Sequence, residues 1–519
     1  MSIWDKGLAN LAAYRGVRED LAARRTPIQL VGLAHIHKVL FAASLVTSLK
    51  KRAVMLAGDE AEANRLTEDL KALGLRVLYL PARELSLRQM EAAGREYEQM
   101  RLGVLAAMAE GGYDIVVACA DAAMQYTIPP DTLLERTLEI VCGAQLPVKD
   151  LPAALSAAGY ERCSQIEGAG QFAVRGGIVD VYPASCPAPI RMELWGDTVD
   201  TLGYFDLITQ RRTEQLDAVA IPPAAEIMYD DAATLAADID ALAGSLRTKN
   251  AAEVRENLRR DVDRLRGGAR PGSVDKYLPL IYPVKANVFT YMRDALLMVS
   301  EPSRIKERVR TYLWQLEQDE TALLEENQLC RALMEYAPSW EQMMTEMEKK
   351  ATVLMDNFSR GGIGLPTAKM YTVDARQLPV WSGRVELLAE DLRDLLARKM
   401  ACVVLAGSEE KAAQTLAEDL QKAGLPALYA KSPEAPIRGQ VLVLAGGISA
   451  GLELPEAHLA ILTHGRAVRP IRRNRRRSKD RGLEIHSLSE LQIGDYVVHV
   501  AHGIGIYQGV HQMNVQGVV

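Results

Sequence analysis

The sequence predicts a multidomain α/β protein, and three observations carry that prediction. Apolar strand-like runs alternate with amphipathic helices through the first third. The pattern then changes to short strands punctuated by Gly, Pro and Asp, and strand–helix alternation returns near residue 370. At 519 residues the chain is too long for one core, and roughly 100–200 residues per domain implies about three to five domains.

The first α/β domain, 1–137, opens its readable pattern at RAVMLAG (52–58), an apolar run ending in Gly and so a buried strand. Residues 59–73 carry Ala61, Leu66, Leu70 and Leu73 at helical spacing, and Gly74 stops the helix. RVLYLP (76–81) is the next strand, 95–110 the next helix and YDIVVACA (113–120) a third strand. That order implies a parallel sheet covered by helices. From 138 to 222 the segments QFAVRGGIVDVYP, APIRMELWGDTVDTLGYFD and LDAVAIPPA read as strands without a helix, a small, largely antiparallel unit. The stretch 223–360 is helical at 231–268 and 302–350, with ALLMVS (295–300) a buried strand between.

A second, smaller α/β domain is expected over 370–465, built on ACVVLAG (401–407), a helix at 409–424 and strands in PALYAK, QVLVLAGG and LAILTHG. Its opening, VVLAGSEEKAAQTLAEDLQKAGL, repeats VMLAGDEAEANRLTEDLKALGL of the first domain, which points to an internal duplication. A basic linker (466–486) follows, and 487–519 ends the chain in alternating β pattern, the start of a β-barrel.

Composition narrows the function. Hydrophobic residues at 48% and charged residues at 25% fit an ordinary water-soluble protein, and no apolar run approaches the roughly 18 residues that span a bilayer. The opening MSIWDKGLANLAAYRGVRED lacks the layout of a signal peptide, so a cytoplasmic protein without membrane contact is expected. Six scattered cysteines without a CxxC pair read as reduced, mostly buried thiols. His35 and His37, or His499 and His502, lack further ligands nearby, and no metal site is expected. A net charge of −6 confines any nucleic-acid contact to a local patch.

A phosphate-binding loop would precede the helix ahead of RAVMLAG, where glycines, Lys and Ser or Thr meet phosphates and Mg²⁺. In VGLAHIHKVLFAASL (31–45), Gly32 stands alone and Val39 follows Lys38. In ALLMVSEP, Ser300 stands where a Mg²⁺-directing carboxylate is expected. No catalytic residue and no ATP hydrolysis are therefore assigned to this chain. In PIRMELWG, Ile190, Met192 and Leu194 point to the core, leaving Arg191 and Trp195 on the solvent side, and Arg175 has the same outward parity. An exposed Trp with two Arg is the composition of a protein-binding hot spot; the alternative is a Trp packed under a loop beside solvated arginines. Nine Lys and Arg residues lie between Arg466 and Arg481, either a solvated linker or a DNA-phosphate contact within 466–482.

Three blocks carry a family resemblance. GAGQFAVRGGIVDVYPASCPAPIRMELWGDTVDTLGYFDLITQRRTEQLDAVAIPPA resembles the UvrA-binding domain shared by UvrB and the bacterial transcription–repair coupling factors. EYEQMRLGVLAAMAEGGYDIVVA (96–118) resembles the first UvrB-like domain, and GDYVVHVAHGIGIYQGV (494–510) the Tudor-like polymerase-interacting domain of coupling factors and CarD. UvrB keeps a phosphate loop and a tyrosine-rich hairpin ahead of EQMRL, where only PARELSLRQMEAAGREY stands here, so the coupling-factor family fits better.

The resemblance implies a degenerate, helicase-like (RecA-like) α/β domain with an inserted UvrA-binding domain, a linking domain and the start of a Tudor-like barrel. It implies UvrA contacts at Arg175, Arg191 and Trp195, and contacts to the RNA polymerase β subunit at Ile506, Tyr507 and Val510. A DNA translocase motor using ATP and Mg²⁺, then an autoinhibitory domain, should follow beyond Val519, with no cofactor in this chain. The competing readings are a UvrB-type damage-verifying ATPase and a CarD-like transcription regulator.

Overall fold

The computed structural model describes residues 3–88, 95–146, 150–247, 250–358, 363–381, 384–431, 435–464, 496–499 and 503–506. The chain divides into two units, Met1–Arg466 and Ala467–Val519. The basic tract 466–482, Tyr507 and Val510 lie outside the described residues.

In the first unit, α1 (Ile3–Leu8) and α2 (Ala12–Ala22) lead into β1 (Ile28–Val31), α3 (His35–Leu49), β2 (Ala53–Ala57), α4 (Glu60–Ala72), β3 (Val77–Leu80), α5 (Glu96–Glu110) and β4 (Ile115–Cys119). Strands β2 and β4 are buried at every residue, which is why they read as unbroken apolar runs rather than alternating ones. Helix α4 starts where Asp59 Oδ1 accepts from the Glu62 amide at 2.8 Å, while Glu62 Oε2 accepts from the Gly58 amide at 3.0 Å. It ends at Gly74, whose φ of 88° a side chain would resist. Short helices α6 (Ala120–Met124) and α7 (Pro130–Glu135) close this segment.

The inserted unit runs through β5 (Leu138–Val141), α8 (Leu151–Ala157), β6 (Glu161–Arg162), β7 (Gln171–Arg175), β8 (Ile178–Val181), β9 (Ile190–Trp195), β10 (Thr198–Phe205), β11 (Arg212–Gln215) and β12 (Ala218–Ile221). Its sheet has the order β11-β10-β9-β8-β7-β6, antiparallel except for β6 with β7. The expectation of no helix here is corrected by α8. Pro152 suits the first turn of a helix, and Leu151 and Leu155 bury themselves against Phe172, Val179, Ile190 and Met192. Strands β5 and β12 pair antiparallel, so the chain enters and leaves the unit through adjacent strands.

The chain then passes α9 (Ala232–Ser245), α10 (Ala251–Arg266), α11 (Leu278–Ile281), β13 (Leu296–Ser300), α12 (Pro302–Glu325), α13 (Trp340–Lys349), β14 (Ala351–Asp356) and β15 (Lys369–Thr372). The segment expected to be mainly helical thus supplies two central strands of the first sheet, whose order is β15-β1-β14-β13-β2-β4-β3, all parallel. Lys369–Thr372, at the expected start of the second α/β domain, instead pairs with β1, because the sheet takes a further edge strand before the chain moves on.

The last part of this unit contains β16 (Arg376–Leu378), α14 (Val385–Ala397), β17 (Ala401–Leu405), α15 (Glu410–Lys422), β18 (Ala427–Tyr429), β19 (Val441–Leu444), β20 (Gly451–Leu454) and β21 (Leu459–Thr463). The run β21-β17-β19-β18 reproduces the order β13-β2-β4-β3, so the two similar sequence blocks occupy matching places in two sheets. One face of this second sheet joins the first core through Val403, Leu405, Leu452 and Ile461. The other face has its own core with α14 and α15 around Leu388, Leu392, Leu416 and Leu420. In the second unit, β22 (Tyr496–His499) pairs antiparallel with β23 (Gly503–Ile506), with Ile506 opposite Tyr496.

Candidate functional site

Two places were singled out by the sequence, and the structure fills in both. The first lies at the carboxyl ends of β1 and β13, where an open parallel sheet of this kind binds ligands. Gly32 turns the chain after β1 with a φ of 96°, and α3 carries Lys38 inward until only 3% of its side chain is exposed. Its ammonium donates to Glu301 Oε1 at 2.5 Å and to Ser300 Oγ at 3.1 Å. Ser300 in turn donates to Glu62 Oε1 at 2.7 Å, and Arg304 pairs with Asp59 at 2.9 Å. Lys38, the lysine of the degenerate loop, and Ser300, which stands where a carboxylate was expected, therefore meet directly. The Glu301 carboxylate and the Ser300 hydroxyl thus engage the lysine's ammonium, and the remaining cleft of about 240 Å³ is lined by both signs of charge.

The flanking histidines are also engaged within the protein. His35 Nε2 lies 3.0 Å from Asp69 Oδ2, and Asp69 accepts from the Ser449 hydroxyl at 2.6 Å and amide at 2.9 Å. Asp69 is fully buried; desolvation pushes its carboxyl up, yet His35 and Ser449 hold it below the usual range. His37 Nε2 is 3.2 Å from the Arg376 carbonyl, and burial lowers its pKa to about 4. Both histidines thus tie α3 to its surroundings. All six cysteines are free: Cys119, Cys330 and Cys402 are buried, but Cys142, Cys163 and Cys186 are half-buried, because they lie in the thinner inserted unit.

The second place is the outward face of the inserted sheet. Ile190 and Met192 are fully buried on the core side of β9, and Trp195 at the strand end is 84% exposed. Gly196, with a φ of 62°, forms the turn that brings Thr198 opposite Trp195. Arg175 at the end of β7 is exposed and donates through Nη2 to Asp180 Oδ2 at 2.6 Å. Arg191 differs from a freely solvated arginine, since its side chain is only 15% exposed. Its Nε and Nη2 donate to the two oxygens of Asp180 at 2.7 and 2.9 Å, and Nη1 and Nη2 reach the backbone and side-chain oxygens of Gln210. Its guanidinium also stacks 4.2 Å from the Phe205 ring centre. The alternation placed Arg191 on the correct face; the loop after β10 folds over it, which strand parity does not reveal.

A buried ion cluster roots this unit in the first sheet domain. Arg101 makes a forked contact with Glu226, with Nη2 at 2.9 Å and Nε at 3.0 Å, and both side chains are essentially fully buried. Arg83 adds a second cation 3.0 Å from the same carboxylate. Glu98 accepts from the Glu226 amide at 2.8 Å, and Gln99 donates to the Ala224 carbonyl at 2.5 Å. The motif EQMRL (98–102) is thus a clamp on the segment that follows β12 as the chain leaves the inserted unit.

The comparisons with known proteins follow this layout. Residues 138–227 match the family described as the UvrB interaction domain, and 491–519 match the CarD-like/TRCF RID domain. A transcription-repair-coupling factor of Bacillus subtilis is 29% identical over 521 residues, 97% of this chain and 43% of that protein. Over nearly its whole length the chain is thus similar to the N-terminal portion of transcription-repair-coupling factors. Coupling factors of Staphylococcus epidermidis and Staphylococcus aureus are 23% and 22% identical, each over 94% of this chain and 42% of their own length. The chain therefore spans less than half the length of the curated coupling factors it matches. A solved structure described as S. tokodaii Xpd4 covers 83% of this chain and 79% of its own at 10% identity, with a TM-score of 0.22 that carries no argument. No described helix is long and apolar enough to cross a membrane.

Sequence reasoning missed Asp180, Phe205 and Gln210 around Arg191, and Glu226 around Arg101. The Asp in GGIVDVYP was a visible signal, since an acidic residue with outward parity between two arginine-bearing strands invites pairing.

Proposed function

We propose that this chain is a non-catalytic recruitment platform at the front of a cytoplasmic coupling factor, holding UvrA of nucleotide excision repair for RNA polymerase stalled at damage. The inserted unit, 138–222, would contact UvrA through Arg175, Arg191 and Trp195. Residues 487–519 would begin a Tudor-like barrel that engages the polymerase β subunit through Ile506, Tyr507 and Val510. The tract 466–482 would attach to DNA phosphates, while ATP, Mg²⁺ and translocation belong to a motor outside this chain. In this reading 1–137 and 223–360 form the degenerate UvrB-like scaffold and 370–465 the linking domain.

The observation that carries the UvrA reading is Trp195, 84% exposed at the end of β9 on the face that bears Arg191 and Arg175, within the match to the UvrB interaction domain. The pairing of Lys38 with Glu301 supports placing nucleotide chemistry elsewhere. Calorimetric titration with purified UvrA tests the proposal. Trp195→Ala should weaken binding by about 2 kcal/mol or more. Its unfolding temperature should not change, because the removed ring is mostly in solvent. Unchanged affinity in Trp195→Ala and Arg175→Ala alike would move the UvrA site elsewhere.

A further inference from the structure

Asp180 lies on the outward face of β8, opposite Ala173 on one side and Arg191 on the other, yet it is 2% exposed. Two guanidinium groups cover it, each within 2.9 Å of a carboxylate oxygen. Arg191 uses three of its nitrogens on Asp180 and Gln210 and has its plane against Phe205, so most of its five N–H donors are engaged within the unit. Arg175 makes a single hydrogen bond to Asp180, and its side chain is 47% exposed, so most of its donors face outward.

Charge accounting follows from this geometry. Two cations share one anion, leaving this triad a net positive charge that emerges mainly at Arg175, on the same outward face of the sheet as Trp195. A carboxylate held this firmly also fixes where that charge stands, because swinging either arginine away would strand a buried anion.

We propose that Asp180 is the positioning residue of the partner-binding face. This arrangement narrows the three-residue contact of the UvrA reading: Arg175 and Trp195 meet the partner directly, and Arg191 acts with Asp180 as the frame. The cognate surface would present a carboxylate next to an apolar socket for an indole. The inference rests on the UvrA reading above and assigns roles within it.

The test is a set of calorimetric titrations of the full chain with purified UvrA. Asp180→Asn should weaken binding about tenfold by releasing a charge-assisted network. Combined with Arg175→Ala, it should weaken binding no further than Arg175→Ala alone, whereas combined with Trp195→Ala the two losses should multiply. Asp180→Glu retains the charge but shifts the carboxylate by one methylene. It should fall between wild type and Asn, and it serves for the same cycle if Asn does not fold. Wild-type affinity in Asp180→Asn, or losses that multiply with Arg175→Ala, would overturn the positioning role and leave the face intact. Wild-type affinity in both Arg175→Ala and Trp195→Ala would instead remove the UvrA reading itself.

Discussion

Replacing Glu226 by Gln should expose how much the ion cluster beneath the inserted unit stabilises the fold. The carboxylate is fully buried. Desolvation pushes its pKa up, but the charges of Arg101 and Arg83 prevail and hold it down at about 2, against an ordinary value of 4.5. A group depressed in the folded state contributes stability above its unfolded pKa and loses it as pH falls toward the folded one. The separation corresponds to about 3 kcal/mol at neutral pH, lost between about pH 4.5 and 2. Glutamine preserves the shape but leaves Arg101 and Arg83 buried without a counter-charge, a loss of about 3–5 kcal/mol for this type of change. Urea unfolding followed by circular dichroism at pH 7 and at steps down to pH 3 measures both effects. The variant should be markedly less stable at pH 7, and the gap should narrow on acidification. A variant within about 1 kcal/mol of wild type at pH 7, or a gap independent of pH, would refute the account of Glu226 as the anion that holds two arginines in the core.

Two further outcomes follow from the first sheet domain. His37 has its pKa lowered to about 4 by burial, so the unfolded chain binds its proton first as pH falls below 6.5. Going from pH 7 to 5 should lower stability by about 2 kcal/mol, and His37→Phe should flatten that slope; a slope unchanged in the variant would assign it to other groups. Because Glu301 and Ser300 occupy the Lys38 ammonium, millimolar Mg·ATP should not raise the unfolding temperature of the chain. A rise of several degrees that disappears in Lys38→Ala would show that the cleft still accepts nucleotide.

The parts of this molecule that were legible in its sequence are those where one segment buries itself. Strands such as Ala53–Ala57 and Ile115–Cys119 are buried on both faces, so their residues had to be continuously apolar. Trp195 was legible because a two-residue period decides which face a side chain takes. Short or exposed elements were not: Leu151–Ala157 is seven residues opening on a proline, and Lys369–Thr372 is an edge strand with little burial. Nor were the long-range polar pairs. Lys38 and Glu301, or Arg101 and Glu226, are far apart in the chain, and only the assembled sheet decides that they meet. The shielding of Arg191 by Gln210 belongs to the same class, since it depends on how one loop lies over one face.

The central sheet also imposes a timetable on synthesis. Strand β2 is complete at Ala57, but its neighbour β13 begins only at Leu296, with the whole inserted unit made between them. At synthesis speeds of about 5–20 residues per second, roughly 240 residues take on the order of 10–50 s. Throughout that interval one side of β2 has an apolar strand with unpaired amides and carbonyls and no native neighbour. The inserted unit, which closes on itself when β12 meets β5, can bury its own core meanwhile. For this chain the ribosome therefore delivers the finished inserted unit well before the sheet that carries it, and the exposed β2 edge is where nascent-chain chaperones would be needed most.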